Sequence, residues 1–156
     1  MKKIIGIIFL GIICYYGVKY YYYMNSGKIE ISPELVTIVD DWKIEMDSLN
    51  LKIKPFNRIR QIIIVDDHVV DYDYAYCSKR NQVIYIARST ITKGPYTTKA
   101  AVWHELGHYI FELKHKDQFS IMNTYGYSER EYRNNWDELR LNYFKYCKRN
   151  EEIGRY

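Results

Sequence analysis

Three of the four histidines in this 156-residue chain lie within twelve residues, in the stretch AVWHELGHYIFELKHKDQFSIMN that begins at position 101. Residues four apart share one face of a helix, so His104 and His108 can hold a single cation. Zinc suits neutral imidazoles, which bind it at about 2.0–2.1 Å, and it tolerates an open fourth position. The metal lowers the pKa of a bound water toward ~7, and Glu105 is placed to take the proton as that water attacks a carbonyl. The spacing therefore predicts a hydrolytic zinc site with Glu105 as general base.

The residues around this motif resemble the metzincin clan of zinc metallopeptidases, in the form found in matrixins and astacins. In that clan the pattern H-E-x-x-H-x-x-G-x-x-H supplies three zinc histidines, and a turn containing a methionine lies beneath the metal. His104, Glu105 and His108 match the pattern, and Met122 in SIMN matches the turn. The resemblance implies a zincin-like metalloprotease domain that cleaves peptide or protein substrates, with Met122 supporting the site as a hydrophobic base.

Two positions depart from the clan pattern. Phe111 replaces the glycine, and His115 lies one residue later than the third ligand should. In an unbroken helix His115 would lie about 10 Å further along the axis than His108, too far to share a metal. We therefore predict that the helix ends between positions 110 and 113 and that the chain reverses to bring His115 to the metal. No glycine or proline stands between positions 109 and 114, so the turn needs a less favoured backbone conformation and a wider loop.

Other side chains are alternatives for the third ligand. Asp117 could serve as a carboxylate ligand, since zinc accepts oxygen as well as nitrogen. Glu131 or Glu138, on the last predicted helix, would give a gluzincin-like site with its third ligand on a separate helix. Some metzincins place a tyrosine two residues after the methionine of the turn, where its hydroxyl contacts the metal or the oxyanion. Tyr125 lies three residues after Met122 and is the corresponding candidate.

A compact α+β domain is predicted to position these side chains. Apolar residues at helical spacing predict a helix over positions 32–50, capped by Ser32, and the β-branched run at 59–65 predicts a central strand. DYAYCSKRNQVIYIAR predicts two strands joined by a turn. Thr98 is the predicted cap of the histidine-bearing helix, and Ser128 forms a capping box with Glu131 that opens the last helix. The expected fold is a small mixed sheet with an active-site helix and a C-terminal helix.

An apolar segment precedes this domain. Residues 4–23 are long enough to cross ~30 Å of hydrocarbon, and the tyrosines at their end favour a membrane interface. No small-residue cleavage site follows. With Lys2 and Lys3 holding the N-terminus in the cytoplasm, residues 1–27 are predicted to be a membrane anchor and residues 28–156 a metalloprotease domain outside the cytoplasm. Secretion after signal cleavage is the alternative.

In an oxidising compartment Cys77 and Cys147 could pair, although burial as small hydrophobes is the simpler interpretation.

Two classes of function fit the sequence. One is a membrane-tethered zinc endopeptidase whose peptide substrate pairs with a strand edge, expected to be QVIYIAR. The other is a non-catalytic zincin-fold module that holds zinc or a peptide partner. Glu105 favours the enzyme, because a binding module needs no base. Nucleic acid is not an expected partner, because beyond the three N-terminal lysines the chain is nearly neutral and has no concentrated basic stretch.

Overall fold

The computed structural model describes residues 29–51, 54–71, 74–116, 119–124 and 126–153. The predicted membrane anchor, residues 1–27, lies outside these ranges, as do Asp117 and Tyr125. Among the described residues, no helix combines the length and the apolar character that crossing a bilayer requires.

Along the described residues one strand and one helix are followed by three strands and then by three helices, which confirms the predicted α+β class. The helices are α1 (Val36–Ser48), α2 (Arg88–Lys93), α3 (Pro95–Phe111) and α4 (Glu129–Glu152). The strands are β1 (Glu30–Ile31), β2 (Gln61–Val65), β3 (Ala75–Ser78) and β4 (Val83–Ala87). Short 3-10 turns occupy Pro33–Leu35, Lys54–Arg58 and Asp67–Val70. The histidine pair of the HELGH motif lies in the second half of α3.

The sheet is mixed, with strand order β1-β2-β4-β3. β2 runs parallel to both β1 and β4, whereas β3 runs antiparallel to β4. The interpretation of QVIYIAR as a strand edge is therefore wrong, because β4 is hydrogen-bonded on both sides. Four of its five residues are buried, as an interior strand that is covered on both faces requires. The strand at this edge of the sheet is β3, which packs beside α3.

The helices pack on the sheet through a core rich in aromatic side chains. The fully buried sheet residues are Ile62, Ile84, Ile86 and Ala87. Between the helices, the Trp42 Nε1–H group donates to the Tyr143 hydroxyl at 3.1 Å, and that hydroxyl donates to the Trp103 carbonyl at 2.7 Å. These two bonds join α1, α4 and α3 at the residue directly before His104, so the position of the first histidine is fixed by the core.

Two of the three predicted helix caps differ in the structure. The capping box of α4 is confirmed, since Ser128 Oγ accepts from the Glu131 N–H group and the Glu131 carboxylate accepts from the Ser128 N–H group. Ser32 does not cap α1. It precedes a 3-10 turn, its hydroxyl accepts instead from the Ile64 N–H group at 3.1 Å, and α1 begins only at Val36.

The start of α3 lies before Thr98, the predicted cap. Gly94 is the N-cap residue, with φ of 137°, and the Glu129 carboxylate of α4 accepts from the Thr97 N–H group at 2.8 Å. A Cβ atom at Gly94 would overlap with Glu129 Cδ, so glycine leaves room for this carboxylate. A negative charge at a helix N-terminus is favourable. A side chain remote in sequence therefore replaces the local cap that the sequence suggested.

Candidate metal centre

α3 ends at Phe111, inside the window that the sequence predicts, and the reversal uses a left-handed residue. Glu112 has φ of 52° and ψ of 30°, a conformation uncommon outside glycine. The Gly107 carbonyl accepts from the N–H groups of Glu112 and Leu113, the second at 3.2 Å. Leu113 is then 2 % exposed, so its side chain holds the reversed chain against the core. The predicted less favoured turn conformation is confirmed at Glu112.

Asn150 supports this helix end. Its side-chain amide donates to the Phe111 carbonyl at 3.0 Å in a buried position. The last carbonyls of a helix lack partners within the helix, and a buried carbonyl left unpaired costs about 1–3 kcal/mol. Sequence analysis did not identify Asn150, because it lies 39 residues from Phe111 along the chain and no local pattern marks it.

His104, His108 and His115 are brought together by this reversal. The Nε2 atoms of His104 and His108 lie 2.9 Å apart, those of His108 and His115 lie 2.9 Å apart, and those of His115 and His104 lie 3.1 Å apart. The predicted convergence of the three rings is confirmed. Among the described residues these three histidines form the group of side chains that could hold a metal ion.

Backbone carbonyls fix which ring nitrogens face the centre. His104 Nδ1 lies 2.8 Å from the Ile121 carbonyl, and His108 Nδ1 lies 2.6 Å from the Leu113 carbonyl. A carbonyl oxygen only accepts, so in each neutral ring Nδ1 carries the proton and Nε2 presents a lone pair. Lone pairs that face each other across 2.9 Å repel unless a cation or a proton lies between them. The three rings, two of them oriented by backbone carbonyls, could therefore hold a cation.

The donor set fits a divalent transition-metal ion. Tetrahedral ligands at 2.0–2.1 Å from zinc are roughly 3.3 Å apart, close to the separations in this triad, and imidazole suits zinc, copper, iron and nickel. Burial lowers the pKa of His104 to about 4 and also lowers the pKa of His108. Both rings are therefore neutral at pH 7, which is the form that a metal ion binds.

Two of the alternative third ligands, Glu131 and Glu138, are not part of this group. Glu131 is exposed and is used in the capping box of α4. Glu138 is exposed on the same helix and lies outside the group of candidate ligands. Asp117 and Tyr125 lie outside the described residues.

The turn that contains Met122 lies beneath the histidines. Met122 is fully buried, and its carbonyl accepts from the Lys116 N–H group at 2.9 Å. A Cβ atom at Gly107, on α3, would lie 2.9 Å from Met122 Sδ, so the methionine packs directly on the helix between the two histidines. The neighbouring Ile121 supplies the carbonyl that orients His104. Met122 thus has the buried supporting position that the resemblance implies.

Glu105 lies in a cleft that also contains the three histidines. The cleft has a volume of about 690 Å³ and is bounded by α3, by the edge strand β3 and by the segment around Gly126. Glu105 is 7 % exposed, and burial, followed by the charge of Glu105 and hydrogen bonding to it, raises the pKa of the Cys77 thiol on β3. Sequence analysis assigned no role to Cys77. The available signal was the alternation of side chains along β3, which places Ala75 and Cys77 on the same face of the sheet.

Cys77 and Cys147 are not joined by a disulfide. Both thiols are free. Cys147 is fully buried on α4, as the simpler interpretation expected, whereas Cys77 is partly exposed in the cleft. The pairing that the sequence left open does not occur in the structure.

Comparison of the chain with models of protein families, with curated proteins and with solved structures finds no match in any of the three. The chemistry of the site therefore rests on its residues and their geometry.

Proposed function

We propose that the chain is a zinc-dependent metallopeptidase, a divergent zincin related in pattern to the metzincins, that hydrolyses peptide bonds with Glu105 as general base. One observation carries the proposal. Three imidazole Nε2 atoms converge within 3.1 Å of one another, next to a buried carboxylate on the same turn of helix, inside an open cleft. A structural zinc site is usually closed by four protein ligands, whereas three ligands in a cleft are typical of a catalytic site.

The roles of the side chains follow from their positions. When bound, zinc supplies Lewis acidity toward water and toward a peptide carbonyl. Glu105 can accept a proton from water and return it to the leaving amine, because its carboxylate lines the cleft directly beside His104. The Ile121 and Leu113 carbonyls hold the His104 and His108 rings with Nε2 toward the centre. This fixed orientation reduces the reorganisation needed during the reaction.

The proposed substrate is an extended peptide that adds to β3. β3 bonds to β4 along one edge, and among the described residues no strand pairs with its other edge. Residues 75–77 of β3 line the cleft opposite α3. Addition of a peptide to such an edge satisfies backbone groups and leaves alternate side chains for recognition. The expected site of substrate pairing therefore moves from QVIYIAR to β3.

Metal analysis and a matched pair of glutamate variants test the proposal. Purified protein should contain one zinc ion per chain, and its removal should abolish cleavage of a peptide library. Glu105→Gln should keep zinc and lower kcat by ~10²–10⁴-fold. Glu112→Gln is the control, because Glu112 also lines the cleft but is exposed and paired with Lys79 at 2.7 Å. Zinc binding without hydrolysis by the wild type would favour the alternative, a non-catalytic module that holds zinc or a peptide partner.

We also propose that residues 1–27 anchor the chain in a membrane with the peptidase domain outside the cytoplasm. The support is the apolar stretch at positions 4–23 behind Lys2 and Lys3. Protease added to intact spheroplasts should degrade the domain. Protection of the domain, or recovery of a soluble form that begins near Ser26, would contradict the anchor.

A further inference from the structure

We propose that Cys77 is a positioning residue for Glu105. Its thiol, on the cleft face of β3, donates a hydrogen bond that directs the carboxylate toward the three histidines. The inference rests on the proposed function and adds a residue that the motif HELGH does not contain.

The register of the sheet places Cys77 on the side of α3. Cys77 lies opposite Ile84 in the antiparallel pair, and Ile84 is fully buried. The neighbouring Tyr76 lies opposite Tyr85 and is 54 % exposed. Because successive side chains of a strand point to opposite faces, Cys77 projects to the covered face and Tyr76 to the outer one. Cys77 on β3 and Glu105 on α3 both line the cleft.

The thiol is the donor in this contact. Burial, and then the charge of the Glu105 carboxylate and its hydrogen bond, raise the pKa of Cys77 to about 12. The thiol is therefore protonated at neutral pH, and an ionised carboxylate can only accept. A carboxylate with 7 % exposure needs such partners, because burial without hydrogen bonds is costly.

A thiol is chemically suited to hold a general base. A lysine or arginine at this position would form an ion pair and strongly favour the ionised carboxylate. The S–H group is a weak, uncharged donor, so it can restrict the rotation of the carboxylate and still allow it to take a proton. Direct metal ligation by Cys77 does not account for its position, because the group of candidate ligands among the described residues contains only the three histidines.

The contact is tested first without a substrate, by alkylation of the full-length chain with iodoacetamide. Peptide mass spectrometry assigns the modified cysteine, and the buried Cys147 is the internal reference. Glu105→Gln should lower the pKa of Cys77. Modification of Cys77 should then be faster, roughly tenfold for each unit by which its pKa falls. Glu138→Gln, which is exposed on α4 and does not line the cleft, should leave the rate unchanged. Equal rates in the wild type and in Glu105→Gln would overturn the contact.

The role in positioning is tested by two substitutions of Cys77 in the zinc-loaded enzyme. Cys77→Ala should lower kcat about tenfold, with KM and bound zinc unchanged, because the base loses its orientation. Cys77→Ser should keep most of the activity, since its hydroxyl can also donate. A fully active Cys77→Ala variant, or an equal loss in both variants, would overturn the role of Cys77 alone. A wild type that hydrolyses no peptide would overturn the proposed function, and with it any role of Cys77 in hydrolysis.

Discussion

Replacement of Gly107 by alanine tests how closely Met122 packs beneath the histidines. A Cβ atom at Gly107 would lie 2.9 Å from Met122 Sδ, 3.1 Å from a ring carbon of Tyr143 and 3.2 Å from a methyl group of Leu113. Alanine inside a helix is normally about 1 kcal/mol better than glycine, whereas overpacking of a core costs about 1–3 kcal/mol. All three neighbours are buried. With three buried neighbours this close, we expect the overpacking cost to be about 2–3 kcal/mol, so Gly107→Ala should lower the free energy of unfolding by about 1–2 kcal/mol.

Met122→Ala removes the closest of these neighbours, so in its background Gly107→Ala should no longer lower the free energy of unfolding. Alone, it should cost about 2–5 kcal/mol, as other substitutions of buried methionine by alanine do. In that background the methyl group of Gly107→Ala enters vacated space, and the gain in helix propensity remains. Gly107→Ala should then be neutral or stabilising by up to about 1 kcal/mol. The coupling between the two sites would be roughly 1–3 kcal/mol.

Urea unfolding of the metal-free wild type, the two single variants and the double variant measures this cycle. Zinc affinity gives a second measurement. A displaced Met122 moves Ile121, whose carbonyl orients His104, and loss of such a partner typically weakens metal binding by about 10–100-fold. If Gly107→Ala has the same effect on stability in both backgrounds, close packing of Met122 against α3 is refuted.

Two further predictions concern stability. Because burial holds the pKa of His104 near 4 in the folded state, the metal-free protein should lose up to about 3 kcal/mol as the pH falls from 6.5 toward 4, where the unfolded chain binds the extra proton. Urea titrations at several pH values measure this loss, and the dependence should flatten in His104→Asn. Asn150→Leu should cost about 1–3 kcal/mol by removing the buried hydrogen bond to the Phe111 carbonyl, whereas Asn134→Leu, exposed on the same helix, should have little effect in the same assay.

Local spacing was sufficient to predict the parts of the site that lie on one helix. The four-residue spacing of His104 and His108 places both rings on one face, and the S-x-x-E pattern correctly marks the start of α4. The end of α3 could also be predicted, because His115 can reach its partners only if the helix stops before it. Each of these inferences uses interactions between residues close together in the chain.

The missed features depend on residues far apart in the chain. Glu129 caps α3 from 32 residues away, and Asn150 caps its other end from 39 residues away. Nothing in the local sequence of either residue indicates its partner. The edge strand of the sheet could have been predicted, because the residue pattern of the two strands differs. β4 is apolar at nearly every position, which favours an interior strand, whereas β3 contains the polar Ser78 and exposes Tyr76.

The last turn of α3 accounts for the one-residue offset of His115 from the metzincin pattern. In the metzincin pattern the third histidine follows the glycine by three residues, and His115 follows the left-handed Glu112 by the same three. The extra residue therefore lies before the left-handed position. In the usual left-handed cap the N–H group of that residue bonds to the carbonyl four residues earlier. The N–H group of Glu112 donates instead to the carbonyl of Gly107, five residues earlier. The last turn of α3 is therefore wider by one residue. Widened turns of this π type are common at functional sites, and this one delivers His115 to within 2.9 Å of His108 without a glycine.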